Sequence, residues 1–470
     1  MSLYEKFVNI VGSHSIIAEP KLMQPFLQEK RNLFHGTTDL ILQPTNVQQI
    51  SAIVKLAKEE DVTITPQGGN TGLVGGQQPN TIKKSIILSL SKLNKIRSIN
   101  LLDQIATVEA GVILEKLQQQ LQTSNYFFAL KLASQGSSQI GGILATNAGG
   151  SNVLAHGMVR QLCLGLEVVL PDGSIINDLK NLYKDNSGYD IKDLFIGSEG
   201  TLGIITAASL KILPLPKSKN IAFIAITELA QALDILQQAR HNFSNMLTAF
   251  ELMPHFGLEL LKKYNYYNSP KIFNQFYPWY ILLEVSSPFD SDEGQQQLID
   301  FCNILVDKNS IGEAIIAQNI NQANFFWKLR DLMSEVQKKE SPSIKHDISL
   351  PISKIVDFII AADNLIKKLL PNARIMCFGH LGDGNLHYNI LPSVTEDPEL
   401  FIKKWKFINQ EIHQLVHKFS GSFSAEHGVG QLKREEMDSY KDKISLKLMR
   451  SIKKTIDPNN IMNPNKIFKL

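Results

Sequence analysis

VTITPQGGNTGLVGG, residues 62–76, is a β-branched run that opens into a loop carrying Gly68, Gly69, Gly72, Gly75 and Gly76. Glycine admits left-handed backbone conformations and lets a ligand approach the main chain closely, so that peptide N–H groups can point at an anion. The spacing is neither G-x-G-x-x-G nor a P-loop, because no Lys-Ser/Thr pair follows. A phosphate cradle is the better reading of such dense glycine than a flexible loop. Upstream, ILQPTNVQQISAIVKL (41–56) reads as strand, turn and helix, with Thr45-Asn46 as the cap and Ile50, Ile53, Val54 and Ala57 at helical spacing. Downstream the glycine theme recurs in GSSQIGGILATNAGG (136–150) and DNSGYDIKDLFIGSEGTLGIIT (185–206). Between them, GLEVVLPDGSII (165–176) predicts a hairpin with a Pro-Asp-Gly turn at 171–173. A diphosphate held by several separate loops implies a large dinucleotide lying across a groove.

A second informative stretch is FGHLGDGNLHYNI, 378–390. Asp-Gly is a two-residue hairpin signal, because both central positions of a type I′ turn need φ > 0. With Asp383 and Gly384 at the centre, His380 faces His387, and opposed residues hold their Cβ atoms roughly 5 Å apart. Asn389 shares that face, two residues on. SAEHGVG (424–430) then offers Glu426 as a third ligand and His427 as a base beside it. Two histidines and a carboxylate are a common zinc set that leaves a position open. Read separately, these are a surface hairpin and an ordinary Glu-His pair before a glycine turn; together they favour a divalent metal on His380, His387 and Glu426.

At 470 residues the chain is too long for one core, and two or three domains are expected. The net charge of +3 comes from 48 basic and 45 acidic residues without a concentrated basic tract, which argues against nucleic acid. Cys163, Cys302 and Cys377 cannot form a Cys₄ iron–sulfur cluster or a disulfide framework, and fit a reducing compartment. The first residues lack a basic region followed by a long apolar run, and no apolar stretch approaches the roughly 20 residues of a membrane span. The expectation is a cytoplasmic protein, with peripheral attachment to an inner membrane left open.

From about 217 to 370 the glycine loops stop. IAFIAIT (221–227), TAFELM (248–253) and WYILLEVSS (279–287) read as strands, and LAQALDILQQAR (229–240) and DEGQQQLIDFCNILV (292–306) as helices. This order predicts a split β-α-β sandwich that shapes a substrate pocket. NFFWKLRDLMSEV (324–336) reads as one helix with Arg330 and Ser334 one turn apart, and KHDISLP (345–351) as a short strand carrying Lys345.

PQGGNTGLVGG, IGGILATNAGG, GLEVVLPDG, IGSEGTLGIIT, FGHLGDGNLH, SAEHGVG and the terminal DPNNIMNP occur in this order from about residue 40 to 468. In that set the chain resembles the FAD-linked oxidases and dehydrogenases related to vanillyl-alcohol oxidase, the group with a PCMH-type FAD-binding domain. Within them it is similar to D-2-hydroxyglutarate dehydrogenases, D-lactate dehydrogenases and the glycolate oxidase flavin subunit. The resemblance implies an α+β fold: an FAD domain of two subdomains over 1–216, split near 97, and an antiparallel-sheet substrate or cap domain over 217–425. A helical segment, 426–470, would return to the flavin and complete the active site. Many relatives tether the flavin to a histidine in the first glycine loop. The matching place here is Asn70, so noncovalent FAD is expected.

Carried onto this sequence, the FAD contacts fall on Pro66, Gln67, Gly68, Gly69, Asn70, Thr71, Gly75, Gly141, Gly142, Thr146, Asn147, Gly149, Gly150, Glu199, Gly200, Gly203, Ile204 and Ile205. The resemblance also implies that Arg330, Ser334, Lys345 and Asn389 bind substrate, with Ser334 standing where relatives carry threonine, and that His427 is the catalytic base. The reaction implied is oxidation of a D-2-hydroxyacid, D-2-hydroxyglutarate before D-lactate or D-malate, by hydride transfer to flavin N5. Zinc or another divalent metal would assist. Electrons would leave to an external acceptor, an electron-transfer flavoprotein or a quinone, and a homodimer is compatible with the sequence. An NAD(P)H-using flavin reductase would leave the histidine hairpin and the Glu-His pair unexplained, and a non-catalytic flavin or metal-binding protein would not be bleached by substrate.

Overall fold

The computed structural model describes residues 1–81, 83–267 and 272–470. The chain divides into two compact units, Met1–Gly149 with Gly157–Leu215 and Glu426–Leu470, and Gly150–His156 with Pro216–Ala425. The fold is α+β, built on antiparallel and mixed sheets.

The first unit holds two larger sheets, besides the two-stranded pairing of Tyr126–Phe127 with Leu213–Pro214. One has the order Ile16–Ile17, Leu40–Leu42, Ser85–Ser89, Thr63–Gln67. Ser85–Ser89 pairs in parallel with both of its neighbours, which requires a crossover, and the helix Val47–Glu59 supplies it. Asn46 caps this helix by accepting the Gln49 N–H at 2.9 Å, as the sequence predicts. Its apolar face, Ile50, Ile53, Val54 and Ala57, is buried with Leu42, Ile64 and Leu88 from the strands. The other sheet is antiparallel, in the order Ile96–Asn100, Ile105–Glu109, Ile204–Lys211, Cys163–Val169, Ile175–Asp178. The Pro-Asp-Gly hairpin forms as expected: Val169 opposes Ile175, and Gly173 takes φ +82°. A separate core, with Val108, Leu117, Ile143, Leu166 and Leu210, covers this sheet.

The second unit carries the antiparallel sheet Leu247–Pro254, Trp279–Ser287, Ser218–Ile226, Glu313–Ile316. IAFIAI reads as an unbroken apolar run because both faces are covered. Ala222, Ile224 and Ile226 pack into one core with Ile235, Leu236 and Leu298, from the helices Ala230–Phe243 and Ser291–Asp307. Ile221, Phe223 and Ala225 pack into the other with Leu261, Phe326 and Met333, from the helices His255–Lys263, Ile320–Asp331 and Met333–Glu340. The period-2 alternation of a strand is what sends successive residues to opposite cores. A smaller sheet sets Ile344–Lys345, Ile348–Ser349 and Arg374–Phe378 against Asn385–Leu391.

Two local expectations are corrected. The hairpin at 378–390 is not closed by a two-residue turn. Phe378, not His380, opposes His387, and Met376 opposes Asn389. Gly384 has φ +90°, but Asp383 lies in the 3₁₀ turn Leu381–Asp383. The physical reason is tertiary: Gly379 exchanges both main-chain hydrogen bonds with Leu252, at 2.9 and 3.1 Å, and so leaves the ladder early. The helix expected over 324–336 is likewise two helices, Ile320–Asp331 and Met333–Glu340, joined at Leu332. Arg330 and Ser334 therefore do not share one helical face; Arg330 is buried and Ser334 exposed.

Candidate active site

In the first unit, the strand Thr63–Gln67 ends at its glycine loop, and the helix Ile140–Ala145 and the turn at 197–203 bring the other glycine tracts beside it. Together they enclose a cavity of about 420 Å³. Pro66 to Thr71, Gly141, Gly142, Thr146, Gly149, Glu199, Gly200, Gly203, Ile204 and Ile205 all line it, as do Glu426 and His427. Gly75 and Asn147 do not line it, and Gly150 belongs to the second unit. Asn147, at φ +48°, shapes the turn after the helix by accepting the Arg160 N–H at 3.1 Å.

The Asn70 side chain is turned onto the protein: its Nδ2 donates to the carbonyls of Pro25 and Gln28, both at 2.9 Å, and its Oδ1 accepts from Gln78 Nε2 at 3.1 Å. The wall has groups a polar ligand can use. Ser138 Oγ and Gln139 Oε1 are buried there with no hydrogen-bond partner among the described residues. A Cβ built on Gly142 meets nothing within 4 Å, so that position is open. Lys30, which sequence reasoning passed over, also lines the cavity.

The C-terminal segment buttresses these loops. Asn463 Nδ2 donates to the carbonyls of Gly76 (2.9 Å) and Glu199 (2.7 Å), and its N–H donates to Ile64 O at 2.8 Å. Lys453, buried on the helix Lys443–Ile456, donates to the carbonyls of Thr201 (2.7 Å) and Met462 (2.8 Å) and pairs with Asp457. The Glu426–His427 turn is fixed from the same side, since the N–H groups of Gln431 and Leu432 both donate to Val74 O.

The second unit brings together charged side chains from a strand, a helix and a loop. Glu251, on Leu247–Pro254, accepts from Arg330 Nε and from His380 Nδ1, each at 2.7 Å. Burial pushes the Glu251 carboxyl up, but the Arg330 guanidinium and His380 outweigh it and hold the group at about 2. A carboxylate on Nδ1 fixes the imidazole tautomer in which Nε2 carries the lone pair, the usual support behind a metal-binding histidine. The rings of His380 and His387 stand 5.9 Å apart in spite of the changed hairpin register. Arg330 lies over the Phe378 ring at 5.0 Å, and its Nη2 is buried without a hydrogen-bond partner among the described residues. Lys345 pairs with Asn389 in the ladder, two residues along the strand from His387. Glu251 is the functional candidate that sequence reasoning missed; the signal was an acid inside the otherwise apolar TAFELM.

Comparison with known proteins shows the family of the chain. Residues 215–467 match the model of the FAD linked oxidases, C-terminal domain, and residues 38–178 the FAD binding domain. The mitochondrial D-2-hydroxyglutarate dehydrogenase of Arabidopsis thaliana is 35% identical over 467 residues, covering 98% of this chain and 80% of that one. A putative mitochondrial D-lactate dehydrogenase of Schizosaccharomyces pombe is 35% identical, covering 95% of this chain and 85% of that one. Among solved structures, p-cresol methylhydroxylase with substrate bound shares the fold, with a TM-score of 0.78 at 17% identity, over 99% of this chain and 96% of that one. The chain belongs to the FAD-linked oxidase family. It is an FAD-dependent oxidoreductase with a PCMH-type fold. Among the described residues, no helix is long and apolar enough to cross a membrane.

Proposed function

We propose that this protein oxidises D-2-hydroxyglutarate to 2-oxoglutarate, using noncovalently held FAD and a divalent metal, zinc before others. The observation that carries the choice of a dicarboxylate is Arg330, a buried guanidinium whose Nη2 has no partner among the described residues. An unmatched N–H on a buried cation is what a substrate carboxylate would satisfy, and Arg presents it in a planar fork. Lys345 would add a point charge toward the same distal carboxylate, and Asn389 would bind the rest of the substrate; the exposed Ser334 stands apart from Arg330 and has no part in this reading.

FAD fits the first unit's cavity through the open position at Gly142 and the unpartnered Ser138 and Gln139 atoms. When bound it supplies the acceptor for the C2 hydride. The bonded Asn70 amide supports a noncovalent site. The metal fits the donor chemistry of His380, His387 and Glu426, and the Glu251 support behind His380 suits it. It would supply Lewis-acid polarisation of the substrate hydroxyl. His427 would take the hydroxyl proton, as an imidazole positioned beside a reacting hydroxyl can. An external acceptor, an electron-transfer flavoprotein or a quinone, would collect the electrons.

The test is anaerobic bleaching of the flavin absorbance across D- and L-hydroxyacids. D-2-hydroxyglutarate should bleach fastest and its L-isomer should not. Lys345→Met should narrow the gap to D-lactate. Equal kcat/KM for D-2-hydroxyglutarate and D-lactate in the unaltered protein would return the reading to D-2-hydroxyacids in general, with D-lactate or D-malate as the substrate. Acid precipitation should leave the flavin in the supernatant. Chelation should stop bleaching without releasing FAD, and zinc, cobalt or manganese should restore it.

A further inference from the structure

The glycines of SAEHGVG serve a carboxylate of the protein itself. Gly428 has φ +80° and Gly430 φ +52°, on either side of Val429. Left-handed residues flanking a peptide turn successive N–H groups inward, into a small anion-binding concavity. Its occupant is Glu199. Val429 N–H donates to Glu199 Oε1 at 2.7 Å and Gly430 N–H to Oε2 at 2.8 Å. A Cβ on Gly428 would stand 2.8 Å from Glu199 Oε1, and one on Gly430 2.2 Å from Val74 O. Glycine is therefore favoured at Gly428 by the clasp and at Gly430 by the Val74 carbonyl.

Glu199 is anchored in turn. It is buried at φ +52°, its N–H donates to Ala145 O at 2.8 Å, and its carbonyl accepts from Asn463 Nδ2 at 2.7 Å. A carboxylate with both oxygens committed to peptide N–H groups, on a backbone held at both ends, has little left for a bound cofactor.

We infer that Glu199 is a positioning residue for His427: by holding the N–H groups of Val429 and Gly430, it sets the angle at which the imidazole meets the substrate hydroxyl. Only the peptide through Gly428 separates the clasp from His427, so few torsions remain to reorient the ring. This rests on the reading of His427 as proton acceptor given above. Proton transfer is steep in geometry, and a displacement near 1 Å costs on the order of 10²-fold.

Glu199→Gln keeps the shape and one acceptor oxygen but sets an amide NH₂ against a peptide N–H. The rate of anaerobic flavin reduction at saturating D-2-hydroxyglutarate should fall about 10- to 100-fold. KM, and the FAD dissociation constant of the apoprotein measured by flavin fluorescence, should stay within about threefold. The solvent isotope effect on flavin reduction should rise. In a His427→Ala background, Glu199→Gln should cost nothing further, since it acts only through that imidazole. Gly428→Ala disturbs the same clasp from the other side and should show the same pattern, which keeps the test open if Glu199→Gln does not fold. Additive losses in the double variant, or weakened FAD binding with the reduction rate intact, would overturn the positioning role alone. Full turnover in His427→Ala by itself would overturn both the reading of His427 and this inference.

Discussion

Around the cavity of the first unit, the residues that matter are glycines and the peptide groups they expose: Gly68, Gly69, Gly141, Gly142, Gly200 and Gly203. In the second unit, the candidate chemistry rests on side chains: Glu251 between Arg330 and His380, with His387 beside them. A wall made of main chain tolerates many substitutions of neighbouring side chains, provided no Cβ is added where the ligand must come. A cluster of buried charges has no such slack, because removing one partner strands another in a medium that solvates it poorly. The two regions should therefore fail differently, one through lost cofactor affinity and the other through lost stability or chemistry.

The largest expected effect lies in the Glu-His pair rather than in either wall. His427→Ala should lower kcat by about 10²- to 10⁴-fold while changing KM little, because a general base acts in the transition state. Steady-state kinetics with D-2-hydroxyglutarate decides it, and a loss below roughly tenfold would remove His427 from the mechanism.

Arg330→Met comes next and tests the side-chain cluster directly. Glu251 would keep a buried charge with only His380 to answer it. The expected loss is about 3–5 kcal/mol in urea unfolding, together with reduced kcat/KM. Unaltered stability would mean that water reaches Glu251, contrary to its burial.

Gly142→Ala puts the contrast in one residue. Alanine is better than glycine in a helix interior by about 1 kcal/mol, so the apoprotein should be as stable or slightly more so. The added methyl points into open cavity, and FAD affinity should fall by about 1–3 kcal/mol, the usual cost of overpacking. Titration of apoprotein with FAD beside thermal unfolding separates the two. A stability loss with FAD affinity intact would contradict the open position.

The smallest effect concerns pH. Glu340 accepts from Lys263 Nζ (2.6 Å), Tyr264 OH (2.9 Å) and Arg374. Burial raises its carboxyl, but those donors outweigh it and hold the group at about 2. The folded group thus titrates below its unfolded range near ~4.3. Its stabilisation is present above that range and is lost as pH falls toward 2. The stability gap between the unaltered protein and Glu340→Gln should narrow between pH 6 and pH 3. With partly exposed partners, the change should be about 1 kcal/mol. A constant gap would mean that the pair is already broken at pH 6.

The glycine loops were legible because their requirement is local. A position that takes φ > 0, or lets a ligand reach the backbone, favours glycine for reasons local to it, as at Gly200 (φ +73°) and Gly75 (φ +72°). The strands of IAFIAI and WYILLEVSS and the Asn46 cap were legible for the same reason, since period and capping are properties of neighbours in sequence. Tertiary structure alone decided three things. Leu252 draws Gly379 out of the hairpin, which moves the register from His380 to Phe378. Helix 324–336 breaks at Leu332 with neither glycine nor proline to announce it. Glu199 and Glu251 find their partners 230 and 79 residues away. A hydrogen bond or ion pair depends on distance in space, and no pattern of neighbours along the chain encodes which remote groups will close it.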